Sequence, residues 1–176
     1  SYLATGGRVV SIGTPIADVH NVRVDNTAGA RALAAHLIDL GHREVGVLAG
    51  PANVGSTKER LEGLRQVIDA AGGTLHVRHG AATRDDAYGG TAAMLAAHPG
   101  ITALVGSADQ MAMGAMAWLR DQGRQVPADV SVAGFNDIDV ARDLTPALTT
   151  VRLPLHKMGE AALTLALEEQ EAGGAH

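Results

Sequence analysis

The chain has 176 residues, 46% of them apolar, 19% charged and only 2% aromatic, with a formal net charge of −5. That length suits one ordinary α/β domain or an incomplete pair of subdomains, and the composition is that of a folded chain. The acidic balance makes this segment a poor binder of phosphate backbones by itself, and the absence of cysteine excludes a disulfide framework, a thiolate nucleophile and a cysteine-based zinc site.

No apolar run approaches the length of about 20 residues that spans a bilayer. Ser1 to Arg8 lack the basic stretch and apolar run of a secretion signal. With no opening Met and a first strand arriving almost at once, the sequence reads as a piece of a longer chain. A reducing, cytoplasmic setting fits the missing cysteines.

Taken in chain order, Val9-Val10-Ser11-Ile12 predicts a buried strand stopped by Gly13 and Pro15. Val22-Arg23-Val24 predicts a short extended piece. Asp25-Asn26-Thr27 then supply cap chemistry for a helix carrying Leu33, Leu37 and Leu40 on one face and closed by Gly41. Val45–Ala49 is the next strand, followed by a loop from Gly50 to Ser56. Thr57 is the expected cap of a helix whose Leu61, Leu64, Ile68 and Ala71 recur at helical spacing before Gly72-Gly73. Leu75-His76-Val77 is a weaker strand, and Thr83 caps a helix bearing Tyr88, Thr91, Met94 and Leu95. Ile101–Val105 is a strand, and Asp109 opens a helix running to Gln122 and stopped by Gly123. Val130–Ala133 and Thr149–Val151 are further extended pieces. A final helix begins at Leu155.

Strands beginning near 45, 75, 101 and 130 recur at the length of a β-helix-β unit, roughly thirty residues. The fold class is therefore α/β, a parallel sheet sandwiched by helices with right-handed crossovers. Ligands in such sheets bind beyond the carboxyl ends of the strands. The loops of interest are those after Ile12, Ala49, His79, Val105 and Gly134.

The eight histidines do not form a metal constellation. His76 and His79 fall on opposite faces of a strand, and the others are scattered without carboxylates at ligand spacing. Neither a Gly-x-Ser-x-Gly elbow nor a phosphate-binding loop is present, and Lys58 comes too late after Gly50–Thr57 to serve one. The residues call for no cofactor and no catalysis.

Seven segments together resemble the LacI/GalR family of transcriptional regulators. They are Asp25-Asn26 with Gly29-Ala30, His36-Leu37-Ile38 with Leu40-Gly41-His42-Arg43, Leu48-Ala49-Gly50-Pro51, Glu59-Arg60-Leu61-Glu62-Gly63, Ala108–Ala115, Val126–Asp137 and Pro146–Arg152. Each alone is weak; their order and spacing over almost the whole chain make the likeness specific. The resemblance implies a periplasmic-binding-protein-like type I effector domain, mostly its C-terminal subdomain, with an effector held between two subdomains. Residues 1–24 then end the first subdomain, 25–153 form the second, and 154–176 return to the first. The family's helix-turn-helix, hinge helix and opening strands lie outside the chain, as does its closing strand. A periplasmic-type sugar-binding protein of a transporter shares the fold and is the alternative, with a flavodoxin-like module a distant third.

Site residues follow from the same resemblance. Arg60, expected in the first turn of its helix, matches an arginine that hydrogen-bonds the effector, against the plainer reading of a surface arginine pairing with Glu59 or Glu62. Asn136 stands where the family more often has Asp, and a turn residue is its plainer reading. Asp137 reads as a turn residue and Asp109 as an N-cap. Ala108 replaces an asparagine contact, Ala82 replaces the aromatic that stacks on a sugar ring, and Gly13 replaces an acidic residue. A pocket without its aromatic platform suits an effector bulkier or less hydroxylated than a simple hexose, unless Tyr88 substitutes from nearby. Met111, Met113 and Met116 cannot all face one way, and Met113 with Leu144 matches the family's homodimer interface. The partners implied are a sugar-like small molecule, a second copy of the chain, and operator DNA through the missing N-terminal domain, with no membrane.

Overall fold

Alternating β-branched runs and helical stretches produce parallel strands joined by helices. In chain order the elements are β1 (Val10–Ile12), β2 (His20–Val22), α1 (Asn26–Asp39), β3 (Glu44–Ala49), α2 (Gly55–Ala70), β4 (Thr74–His79), α3 (Arg84–Ala97), β5 (Ala103–Gly106), α4 (Asp109–Asp121), β6 (Ser131–Asn136), β7 (Thr149–Arg152) and α5 (Leu155–Ala172). The computed structural model describes residues 8–172. It divides into two units, one running to Asp25 and resuming at Leu153, the other spanning Asn26–Arg152.

In the smaller unit β1 and β2 pair in parallel, with Val10 opposite His20 and Ile12 opposite Val22, and α5 lies against both strands. The extended piece expected at Val22–Val24 is therefore two residues earlier. The reason is β1: Gly13 turns away at φ +87° and donates its N–H to Val22 O at 2.8 Å, so the parallel ladder ends at Val22.

The larger unit holds a five-stranded, all-parallel sheet in the order β4-β3-β5-β6-β7. Strand periodicity divides its core into two layers. Val47, Val105 and Phe135 face α1 and α2, where they meet Leu33, Leu61 and Leu64. Leu48, Leu104 and Val132 face the other way, onto Met94, Met111 and Leu119 of α3 and α4. Strands buried on both faces explain the continuous apolar runs that the sequence shows.

Helix ends follow the glycines. Gly41 takes φ +90°, its N–H reaches Ile38 O and that of His42 reaches Leu37 O, a Schellman ending. That ending also corrects Leu40. It lies past the last helical residue and is 62% exposed, whereas Leu33 and Leu37 are buried as expected. Thr57 is not a cap either. The helix α2 begins two residues before it, with Val54 at the N-cap position, and Thr57 is buried in the first turn. Thr83 does cap α3, accepting the Asp86 N–H at 3.2 Å.

Candidate functional site

The chain leaves β3 toward α2 on one face of the sheet and leaves the adjacent β5 toward α4 on the other. Neighbouring loops that diverge in this way open a crevice beyond the carboxyl ends of the strands. The loops after β3 and β5 are tied together there: Gly50 N–H donates to Ser107 Oγ at 3.1 Å, and Ser107 Oγ–H points to Met111 Sδ at 3.3 Å. On the β4 side, a ring nitrogen of His79 lies 2.9 Å from Gly50 O.

Arg60 stands over this crossing. Since α2 starts at Gly55, it occupies the second turn and not the first. Its Nε–H donates to Asn26 Oδ1 at 3.0 Å and its Nη1–H to Ser107 O at 2.5 Å. The guanidinium carbon sits 3.9 Å above the ring centroid of Phe135, a cation–π contact. Burial depresses the Arg60 pKa to about 10, partly offset by the charges of Asp109 and Glu59, so the side chain is cationic at neutral pH. Among the described residues its Nη2 has no acceptor. The pairing with Glu59 or Glu62 that a surface arginine would make does not form: Asn26 takes Glu59, and Glu62 accepts from Gln66.

Asn136 ends β6 directly after Phe135, with φ +123°, and Asp137 follows at φ +56°. Two left-handed residues in succession are costly for non-glycine side chains unless their surroundings hold them. Here they are held. Asp109 is buried to 1% exposure, and its carboxylate accepts Ile138 N–H at 2.9 Å and Thr150 Oγ–H at 2.5 Å. It is the first residue of α4 and not the N-cap expected of it; Ala108 holds that position and offers no side-chain cap. Gly134 leaves the space for the carboxylate, since a Cβ there would lie 2.3 Å from Asp109 Oδ1. Asp137 accepts from Arg152 Nε at 2.5 Å and Arg142 Nη2 at 3.4 Å. The Arg152 bond holds its carboxyl below the usual range.

Ala82 and Ala108 belong to the same loop cluster. Gln110 Nε2 donates to Ala82 O, and a Cβ on Gly50 would lie 3.5 Å from the Ala82 methyl. Tyr88 does not replace the missing aromatic. Its hydroxyl donates to Asp121 at 3.1 Å, in the last turn of α4, at the end of that helix remote from the β5 carboxyl edge. Gly13 belongs to the smaller unit. Met113 and Leu144 line a separate groove of about 650 Å³ with Met116, Val126, Arg84 and Arg120, while Met111 is buried in the core.

Asn26, Ser107, Phe135 and Thr150 are the site residues that sequence reasoning missed. Phe135 is the chain's one phenylalanine, and its place just before Asn136 is the only signal that pointed to it. Among the described residues no group of three His, Asp or Glu could hold a metal ion, and no helix is long and apolar enough to cross a membrane.

A family profile described as a periplasmic binding protein-like domain matches residues 34–175. The HTH-type transcriptional regulator CelR of Thermobifida fusca is 37% identical over 158 residues, 88% of this chain and 46% of that protein. The HTH-type transcriptional regulator GalR of Escherichia coli is 35% identical over 149 residues, 83% of this chain and 43% of that protein. A solved transcriptional regulator CelR–cellobiose complex superposes with a TM-score of 0.87 at 31% identity, covering 97% of this chain and 54% of that one. The chain spans a little under half the length of the curated relatives it matches.

Proposed function

Because the chain belongs to the periplasmic binding protein-like domain family, in the form that LacI/GalR-type transcriptional regulators carry, we propose that it is the effector-sensing part of such a regulator. It binds a sugar-like small molecule beyond the carboxyl ends of β3, β5 and β6, and so controls operator DNA binding by a segment outside this chain. The reading assigns it no reaction and no cofactor, and a cytoplasmic location. The observation that carries it is Arg60: a guanidinium fixed on two edges and one face, with Nη2 still open at the switch point. That arrangement suits paired hydroxyls. Relatives named as regulators support this over a transporter's binding protein. We assign residues to 24 and from 154 to one sensor subdomain and 25–153 to the other, boundaries that differ by one residue at each end from the division at Asp25/Asn26 and Arg152/Leu153.

Within the larger unit, Arg60 and Asn136 are the polar effector contacts, and Ala82 and Ala108 are the positions that leave space. Small side chains at 82 and 108, beside Gly50, favour an effector larger than one sugar ring, and the cellobiose bound by the CelR relative is of that size. Titration calorimetry of the whole regulator should give at least about tenfold tighter binding, near 1.4 kcal/mol, for a disaccharide such as cellobiose than for glucose. Tight binding of glucose alone would overturn the size argument.

The protein forms a homodimer through the groove that holds Met113 and Leu144. Half-buried apolar side chains beside Arg84 and Arg120 make a patch of interface character. Sedimentation of the whole regulator at micromolar concentration should show a dimer that Leu144→Asp converts to monomer; a monomer without the substitution refutes the assignment.

A further inference from the structure

The contacts of Arg60 depend on a residue that no ligand needs to touch. Asn26 opens α1, is 7% exposed, and places its side-chain amide between two opposite charges. Its Nδ2 donates to Glu59 Oε2 at 2.8 Å while its Oδ1 accepts from Arg60 Nε at 3.0 Å. A primary amide carries one donor group and one acceptor and no charge, so it can join a carboxylate to a guanidinium without neutralising either. Glu59 and Arg60 are sequence neighbours whose side chains leave the helix in different directions. Asn26 reaches both of them from another helix.

We propose that Asn26 is the positioning residue of the effector arginine: its amide, oriented by Glu59, fixes the Nε edge of Arg60 and keeps Glu59 from pairing with it. The identification of Arg60 as an effector contact rests on the function proposed above, but the positioning does not. Flipping the amide would set its NH2 against the Arg60 Nε–H, donor facing donor, and Glu59 forbids this by claiming the NH2. With Nε held by Asn26, Nη1 by Ser107 O and the ring of Phe135 beneath, the guanidinium has one orientation. Its charge and its Nη2 edge then remain for a ligand. A carboxylate at position 26 would keep the Nε bond but convert it to an ion pair facing Glu59. An apolar residue would leave the Nε–H without an acceptor in a mostly buried place.

Asn26 also has a particular place in the chain: it is the first residue of the larger unit, and Asp25 is the last of the smaller one before it. The relay therefore joins the effector arginine to the point where the polypeptide enters the larger unit.

The test is the arginine Nε–Hε spectrum of the 15N-labelled 176-residue chain, with Arg60→Lys used to assign the Arg60 signal. Hydrogen exchange at Arg60 Nε is expected to be slower than at exposed arginines by about tenfold or more, as a charge-assisted bond of this kind supplies. Asn26→Ala and Glu59→Ala should each remove that protection, the first by deleting the acceptor and the second by freeing the amide to flip. Asn26→Asp should retain it, because an acceptor oxygen remains. Unchanged protection in Asn26→Ala would show that Arg60 is held without Asn26, and unchanged protection in Glu59→Ala would show that Glu59 does not orient the amide. Should Asn26→Ala not fold, Glu59→Ala and Asn26→Asp decide the matter. No effector enters the experiment, so a failed effector search leaves its outcome intact.

Discussion

Replacing Asp109 with alanine is expected to destabilise the larger unit by about 3 kcal/mol, because two partly buried donors lose their buried acceptor at once and each costs roughly 1–3 kcal/mol. The donors are Ile138 N–H and Thr150 Oγ–H, which lie on either side of the turn that ends β6 and the strand that pairs with it. The same change releases the left-handed pair Asn136–Asp137, whose geometry the buried carboxylate maintains. Asp109→Asn should cost less, since one oxygen remains, though its NH2 then faces a donor. Gly134→Ala should act on the same group from the other side, as the added carbon would occupy the carboxylate's place. Urea unfolding followed by circular dichroism measures all three. A loss below about 1 kcal/mol for Asp109→Ala, the size of an ordinary surface or cap substitution, would mean that Asp109 does not brace the turn.

Arg60→Met is expected to lower effector affinity by about a hundredfold while leaving a folded protein. Methionine keeps apolar contact with Phe135 but offers no donor. Charge-assisted hydrogen bonds contribute roughly 1.5–3 kcal/mol each, so losing the Nη2 pair reaches about two orders of magnitude. Asn26 Oδ1 and Ser107 O also lose their partner, so a fall in thermal stability should accompany the loss. Calorimetry with whichever sugar binds the unaltered regulator reads the affinity directly. Binding within about threefold of the unaltered protein, under 1 kcal/mol, would remove Arg60 from the contact set.

Much of the architecture was legible because it depends on local punctuation. Gly41 and Gly123 end their helices in left-handed turns, and Thr83 caps the next helix, as their spacing implied. Apolar runs buried on both faces pointed to a parallel sheet, and the loop cluster beyond it follows from that topology. The misreadings share a cause. Asp109, Thr57 and Asn26 all sit at helix starts, where a short polar side chain reads as a cap. In the fold Asp109 and Asn26 hydrogen-bond partners 29 to 41 residues away, and Thr57 is buried beneath the Gly50 loop. Side-chain chemistry is the same in both uses, and only the tertiary contact distinguishes them. Leu40 shows the same limit for apolar residues: its spacing fits the buried face, but the helix ends one residue too soon. Arg60, by contrast, came from the likeness of Arg60-Leu61-Glu62-Gly63 to a family motif; nothing in its local spacing distinguishes it from Arg65 on the same helix.

The most direct test of the sensing role is the affinity of the whole regulator for its operator DNA, titrated with and without a bound disaccharide. An effector can shift an equilibrium only by its differential affinity for the two forms. A sugar bound through Arg60 is expected to change operator affinity by at least about tenfold, in either direction, and Arg60→Met to abolish the response. A sugar that binds the regulator tightly yet leaves operator affinity unchanged would contradict the sensing role.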